Sequence, residues 1–378
     1  PLRFPEFADE WKQTTLGETC SVIGGGTPST DVDDYWNGDI QWFTPSEIGV
    51  NKFVSRSERT ITEQGMNNSG AKLLPLGTIL LTTRATIGEA SIATCPCTTN
   101  QGCQSLVINR RITTTEFVYQ KVETLKRELF SRANGSTFKE ISASEVRSIP
   151  ISLPSLAEQE KIASFLSLID ERIQSCSETI KERKREKAAL LNQLFSQKLR
   201  FPQFSDEWQQ TMLGEIAEIL NSRRKPITSS DRVRGDYPYY GASGIIDYVN
   251  EYIFDEQLLL IGEDGAKWGK DEKTAFIVSG RCWVNNHAHV LRFQNYPTYK
   301  LIEAFFFSLN LKPFVTGDAP PKLTLENLKS ILIHFPSLAE QEKIADFLSL
   351  IDERIEVEEE LLEQYERQKR YLLKQMFI

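Results

Sequence analysis

PSLAEQEKIASFLSLIDERI (154–173) occurs again as PSLAEQEKIADFLSLIDERI (336–355), with Ser164 changed to Asp346 and nothing else. The offset of 182 persists downstream, where LLNQLF (190–195) aligns with LLKQMF (372–377). Each copy opens on a proline, Pro154 or Pro336, which fits the residue just before a helix begins. Ser155 with Glu158, and Ser337 with Glu340, have the S-x-x-E spacing of a capping box. Apolar residues then recur at alternating steps of three and four: Ile162, Leu166, Ile169, Ile173, Cys176 and Ile180 in the first copy. The second copy gives Ile344, Leu348, Ile351, Ile355, Leu362, Tyr365 and Leu372. This narrow stripe is a coiled-coil seam, interrupted at Arg183 and Lys187 and again at Glu358 and Lys369. A helix of about 40 residues is roughly 60 Å long. A long helix with one apolar stripe needs a partner, and a two-fold repeat supplies its own second copy, antiparallel. The basic run Lys181, Arg183, Lys184, Arg185, Lys187 and the acidic run Glu356, Glu358, Glu359, Glu360, Glu363 either favour that pairing, meet a partner or are simply solvated.

A second repeat precedes each helix. LRFPEFADEWKQTTLGE (2–18) and LRFPQFSDEWQQTMLGE (199–215) agree at 13 of 17 positions, at an offset of 197. The segment between the repeated blocks is therefore 15 residues shorter in the second half (197 − 182). GDIQWFTPSEI (38–48) and GDYPYYGASGI (235–245) still align at 197, so the intervening segments are diverged versions of one fold. The expected organisation is a variable domain at 1–155, a long helix at 156–198, a second variable domain at 199–335 and a second long helix at 336–378. Joining Ile378 to Pro1 recreates the internal junction QLFSQKLRF (193–201) almost residue for residue. The repeat is thus expected to be cyclic, with neighbouring termini and one variable domain towards each end of the helix pair. The fold class is α+β, with two α/β domains separated by two antiparallel coiled-coil helices.

With 378 residues and a net charge of −8, the chain suits several domains and argues against coating nucleic acid by bulk charge. No apolar run approaches a membrane span, and the opening PLRFPEFADEW has no signal-peptide character, which makes a trimmed start the expectation. Six scattered cysteines fit a reducing, cytoplasmic setting.

Within the variable segments, strands are expected at 78–83, 104–108, 257–261 and 288–293, and helices at 117–131 and 299–309. Val118, Val122, Leu125 and Leu129 share one face of the first of these helices. Polar loops intervene at 24–30, 98–102 and 285–287. Arg223, Arg224, Lys225, Arg232 and Arg234 form a local basic segment followed by Tyr239 and Tyr240, a combination that suits a nucleic-acid surface.

Catalytic motifs are weak. The Gly24–Gly26 loop lacks the Gly-Lys-Ser/Thr that completes a nucleotide-binding loop, and Asp318-Ala319-Pro320-Pro321-Lys322 departs from an amino-methylation tetrad by its inserted Ala and terminal Lys. Cys95, Cys97 and Cys103, with Cys20 distant, lack the spacing of a zinc site. His287 and His289 alternate on an expected strand, facing one side, where base contact or a buried polar role is favoured over metal. Asp264, Asp271 and Lys273 imitate the acidic-acidic-lysine set of a nuclease, which defines one competing class. A coiled-coil assembly adaptor that reads no bases is another.

The repeated helical blocks, together with GGGTPST (24–30), YWNGDIQWFTPSEI (35–48), LLTTRATIGEASIA (80–93) and TTNQGCQSLV (98–107), resemble the specificity subunit of type I restriction–modification systems. YPYYGASGIIDYV (237–249), LLLIGEDGAKWG (258–269) and WVNNHAHVLRF (283–293) resemble a second target-recognition domain of that family. The resemblance spans essentially the whole chain. It implies a non-catalytic subunit that binds double-stranded DNA, two adenine methyltransferase subunits and restriction/translocase subunits, with no membrane association. S-adenosylmethionine, ATP and Mg are then expected on the partners, and no cofactor or metal on this chain. Each domain is expected to read one half of an asymmetric bipartite site, the helices setting the spacer. The residues expected to contact DNA are Thr44, Ser46, Arg84, Thr86, Asn100, Gln101 and Lys139 in the first domain. In the second they are Arg223, Arg224, Tyr240, Ser243, Lys267, Asn286, His287 and Lys322.

Overall fold

The computed structural model describes residues 2–135, 139–318 and 320–377. Pro1 and Ile378 at the expected junction, and Ala319 in the 318–322 stretch, lie outside the described residues. The chain divides into two compact units, Pro1–Ser175 with Leu361–Ile378, and Cys176–Glu360. Two long helices, Leu156–Phe195 and Leu338–Met376, each give their first part to one unit and their last part to the other. No described helix is long and apolar enough to cross a membrane.

Among the described residues the first unit has the strands β1 (Lys12–Thr15), β2 (Cys20–Gly24), β3 (Trp36–Phe43), β4 (Phe53–Val54), β5 (Arg59–Ile61), β6 (Ile79–Thr82), β7 (Ala90–Ala93), β8 (Cys97–Thr99), β9 (Cys103–Ile108) and β10 (Pro150–Leu153). A five-stranded sheet runs β2-β9-β6-β7-β4 and a three-stranded sheet β5-β3-β8, in which β3 and β8 are parallel. The Ile-Leu-Leu-Thr of β6 is buried at every position, as a central strand covered on both faces requires. The expected helix at 117–131 is two, Thr115–Thr124 and Lys126–Arg132, broken at Leu125. Val118, Val122, Leu125 and Leu129 are nonetheless all buried.

The second unit repeats the plan with β11 (Gln209–Met212), β12 (Glu218–Ile219), β13 (Arg234–Gly241), β14 (Gly244–Val249), β15 (Phe254–Asp255), β16 (Leu258–Gly262), β17 (Ala275–Val278), β18 (Arg281–Val284), β19 (Ala288–Arg292) and β20 (Leu332–Phe335). Its sheets run β12-β19-β16-β17 and β14-β13-β18-β15, and β13 pairs with β18 in parallel as β3 does with β8. The repeat holds in three dimensions: Phe43 opposes Thr99 in the first unit, and Tyr240, its equivalent at the 197 offset, opposes Val284 in the second.

Within each unit the long helices run antiparallel. In the first, Ile162, Leu166 and Ile169 share a core with Leu372, Leu373, Met376 and Phe377, and with Phe117, Val118 and Val122 of the domain helix. In the second, Leu191 and Leu194 share a core with Ile344, Leu348, Trp208 and Leu301, the last from the helix Tyr296–Ser308. The apolar stripe therefore packs against a third helix as well as its partner. Truncating one such leucine to alanine costs about 2–5 kcal/mol. The interruptions of the stripe also have a cause. Lys187 pairs with Asp352, and at the matching place Lys369 pairs with Asp170 at 2.7 Å. Burial pushes the Asp352 carboxyl up, but Lys187 and Lys300 more than reverse this and hold it below its ordinary value. Lys184 pairs with Glu359, so the basic and acidic runs do meet.

The capping boxes form differently from expectation. Ser155 Oγ accepts from the Glu158 amide at 3.4 Å, but the Glu158 carboxylate accepts from Arg3 at 2.7 and 2.8 Å and from Trp11 Nε1 at 3.3 Å. Glu340 does the same with Arg200, at 2.8 Å twice, and Trp208 Nε1 at 3.1 Å. These carboxylates clamp the LRF segment onto the helix start. The adjoining glutamines repeat as well: Gln159 accepts from Thr113 at 2.6 Å and Gln341 from Thr298 at 2.8 Å. At the junctions, the Leu199 amide donates to the Gln193 carbonyl at 3.1 Å, and the Leu2 amide donates to the equivalent Gln375 carbonyl at 2.8 Å. One turn is thus closed within the chain and the other between its two ends.

Candidate nucleic-acid interface

Three loops converge at one end of the first domain, after β3, β6 and β8. The Asn100 amide donates to the Phe43 carbonyl at 3.0 Å, and the Thr83 amide donates to the Gly102 carbonyl at 2.8 Å. Asn100 Oδ1 accepts from the Gly102 amide at 2.8 Å and so holds the turn shut. A Cβ on Gly102 would fall 2.9 Å from Pro45 Cγ and 3.6 Å from Arg84 Cβ, which shows how tightly the loops meet and why glycine stands there. A fourth segment joins at Glu140, which bridges both Arg84 and Asn134, while the Ile141 amide donates to Thr83 at 3.2 Å.

The second domain builds the same frame from other residues. The Asn285 amide donates to Tyr240 at 3.0 Å, the Glu263 amide to His287 at 2.8 Å, and Asn285 Oδ1 accepts from the His287 amide at 2.8 Å. Lys322 bridges Asp264 and Thr316 as Glu140 bridges Arg84 and Asn134. Even the left-handed positions match: Ala85 at φ 57° corresponds to Gly265 at φ 67°. Buried backbone groups must be satisfied, so the frame survives changes of side chain.

The first-domain candidates all belong to this end. Thr44 Oγ1 donates to Glu47 at 2.7 Å and lies 2.9 Å from Ser46 Oγ. Arg84 pairs with Glu140 at 2.8 Å, and Thr86 follows it in an exposed turn. Gln101 stands exposed beside Asn100 and accepts from Thr27. Lys139, next to Glu140, lies 4.1 Å above the Phe130 ring.

In the second domain Ser243, Lys267, Asn286 and His287 are exposed on the converging loops. Tyr240 is half-buried, its ring 5.9 Å from that of Phe276. Lys322 is held by Glu263 at 2.7 Å. The two arginines are committed elsewhere. Arg223 binds Glu256 at 2.8 Å and the Ile253 carbonyl at 2.9 Å, away from the loops. Arg224 has a side chain only 14% exposed, paired with Glu263 and donating to the Asn286 and Ala288 carbonyls. It supports the loop from beneath. Burial pushes the Glu263 carboxyl up, and Arg224 and Lys322 more than reverse this.

His287 lies in the turn before β19, half-exposed, with Nδ1 against Asp264, whereas His289 is buried. The two histidines therefore do not form a pair on one face. His289 Nε2 donates to the Leu323 carbonyl at 2.7 Å and Nδ1 accepts from Asn221 at 2.9 Å, which suits the neutral ring. Burial holds its pKa below the ordinary histidine range. Cys97 and Cys103 are core residues, and burial pushes their thiols up to about 12. Asp264 faces His287, while Asp271 and Lys273 line a different cavity beside Lys187, and no metal-holding cluster of His, Cys, Asp and Glu occurs among the described residues. Reasoning from sequence did not single out Asn285, Glu263 or Glu140 as frame residues. The likeness of Thr-Asn-Gln-Gly (99–102) to Val-Asn-Asn-His (284–287) carried that signal.

Comparison with known proteins agrees with this doubled plan. Residues 8–183 and 205–367 each match the type I restriction modification DNA specificity domain. The MjaIX specificity subunit of Methanocaldococcus jannaschii is 38% identical over 170 residues, 44% of this chain, and the match spans only 39% of that relative. The EcoprrI specificity subunit of Escherichia coli is 27% identical over 364 residues, 91% of this chain and 87% of the relative. The crystal structure of a type I restriction–modification S subunit from M. genitalium superposes with a TM-score of 0.64 at 18% identity, covering 100% of this chain and 98% of that one, which shows a shared fold. With both domain matches together covering most of its length, the chain belongs to the family of type I restriction–modification DNA specificity subunits.

Proposed function

We propose that this chain reads double-stranded DNA for a type I restriction–modification complex, each domain recognising one half of a bipartite site. The observation that carries this is the shared frame with unlike contents. The same backbone bonds hold the Asn100 and Asn285 turns, yet Gln101, Arg84 and Thr86 stand on one and Asn286, Asp264 and Lys267 on the other. Side chains of these types discriminate base edges, so unlike sets call for unlike half-sites. The long helices set the spacer between them.

Partner docking is supported by the helices. Leu168 and Leu350, equivalent in the two copies, are each 60% exposed. Identity at exposed positions is not needed for the core, and a patch present twice fits two copies of one partner, the adenine methyltransferase subunit. Methyl transfer with S-adenosylmethionine, and ATP- and Mg-dependent cleavage by restriction/translocase subunits, would be chemistry of the partners. Replacing 199–335 by the equivalent stretch of the first domain tests the reading. The hybrid, assembled with its methyltransferase, should modify an inverted repeat of the first half-site. Continued modification of the original site would contradict it.

A further inference from the structure

Arg84 and Asp264 occupy one position in the two frames. Each follows a central strand, β6 or β16, and precedes a residue in the left-handed region, Ala85 or Gly265. Each is bridged through its backbone to a residue of opposite charge, Glu140 or Lys322. The charges are therefore exchanged at both members of the bridge. The bridge itself is made by the backbone, so neither polarity is needed to close it.

What differs is what the position offers outside the frame. The Arg84 guanidinium, 44% exposed and pinned by Glu140 at 2.8 Å, carries donors only. Asp264 carries acceptors only, and it engages Nδ1 of His287, which is 51% exposed and stands where the first domain has Gly102. Neighbouring charges do not cancel the contrast: Lys322 is taken by Glu263 at 2.7 Å, and Arg224 by the same carboxylate.

We propose that this matched position sets opposite hydrogen-bond polarity in the two half-sites. Arg84 takes the acceptor edge of guanine, and the Asp264–His287 pair takes a base with an exocyclic amino group, cytosine or adenine. The inference rests on the DNA-reading function proposed above. Arginine matches guanine O6 and N7 with two donors, and a carboxylate accepts from an amino group, so one exchange of sign changes which bases fit.

The test uses the full chain assembled with its methyltransferase partner, incubated with a library of randomised duplex DNA, and sequencing of the retained molecules. Wild type should retain a bipartite motif with guanine at one position of one half, and cytosine or adenine at one position of the other. Arg84→Ala should lower discrimination at the guanine by about tenfold or more and leave every other position intact. Arg84→Lys, which keeps a cation opposite Glu140, should retain the preference. Asp264→Asn should relax the one amino-bearing position in the other half, and the wild-type motif itself says whether that base is cytosine or adenine. Unchanged preferences in both Arg84→Ala and Asp264→Asn, effects of both in the same half, or loss of the guanine preference in Arg84→Lys as complete as in Arg84→Ala would overturn the inference while the wild-type motif stands. A wild-type complex that retains no motif would overturn the DNA-reading function and this inference with it.

Discussion

At the Asn100 turn of the first domain, the Phe43 and Gly102 carbonyls accept the Asn100 and Thr83 amides, and at the Asn285 turn of the second domain the Tyr240 and His287 carbonyls accept the Asn285 and Glu263 amides. The two sets of bonds agree in topology and nearly in length. Almost none of the exposed side chains on them agree. The difference separates two kinds of constraint. Buried backbone groups cost energy when unpaired, so the frame is fixed. A side chain standing off the frame costs little to change, even to the opposite sign. The helices show the reverse pattern, with near-identity in the 20-residue block extending to exposed residues such as Leu168 and Leu350. One part of the molecule is free to diverge and the other answers to the same demand twice.

The strongest challenge to this equivalence targets the clamps. Glu158→Ala strands Arg3 and Trp11, and Glu340→Ala strands Arg200 and Trp208. Each should destabilise the fold, read as a lower urea midpoint for the unit concerned. Closely similar losses sharpen the comparison, and a large loss at one clamp with none at the other breaks it. Next come the loops proposed to read DNA. Gln101→Ala and Asn286→Ala should each weaken binding by about 1–3 kcal/mol at one half-site, a different half for each, measured with oligonucleotides altered in one half at a time.

The matched left-handed residues give a smaller effect of opposite sign. Ala85→Gly should stabilise the first unit by about 1 kcal/mol and Gly265→Ala should destabilise the second by about as much, followed by thermal unfolding. The weakest expected contrast is in pH. His289 is held neutral by burial, with its folded pKa below the unfolded value of about 6.5. Between those two values the unfolded chain binds more protons, so this contribution is full above about pH 6.5 and is lost as pH falls towards the folded pKa. The second unit should therefore lose stability on mild acidification, and His289→Gln should flatten the slope. The first domain contains no histidine and should show no such term.

Most of this plan was legible in the sequence because it is written as repetition and periodicity. The two helices, the cyclic order and the central strands β6, β9, β16 and β19 all follow from pattern. What escaped depends on partners distant in sequence. Glu158 has capping-box spacing, but Arg3, 155 residues away, claims its carboxylate. Arg223 and Arg224 form a basic run on paper, yet Glu256 and Glu263, arriving from 33 and 39 residues downstream, neutralise both. Lys187 and Lys369 look like faults in the seam until Asp352 and Asp170 are placed opposite them. Asp264 resembled part of a nuclease set by type alone, and its place beside His287 gives it a different meaning.

The most direct measurement of the central claim is the modified-base motif in the genome of a host carrying only this system. If the two unlike surfaces read DNA as proposed, the motif carries methylated adenine and is asymmetric and bipartite, two different half-sites around an unread spacer of fixed length. A palindromic or continuous motif would contradict the account.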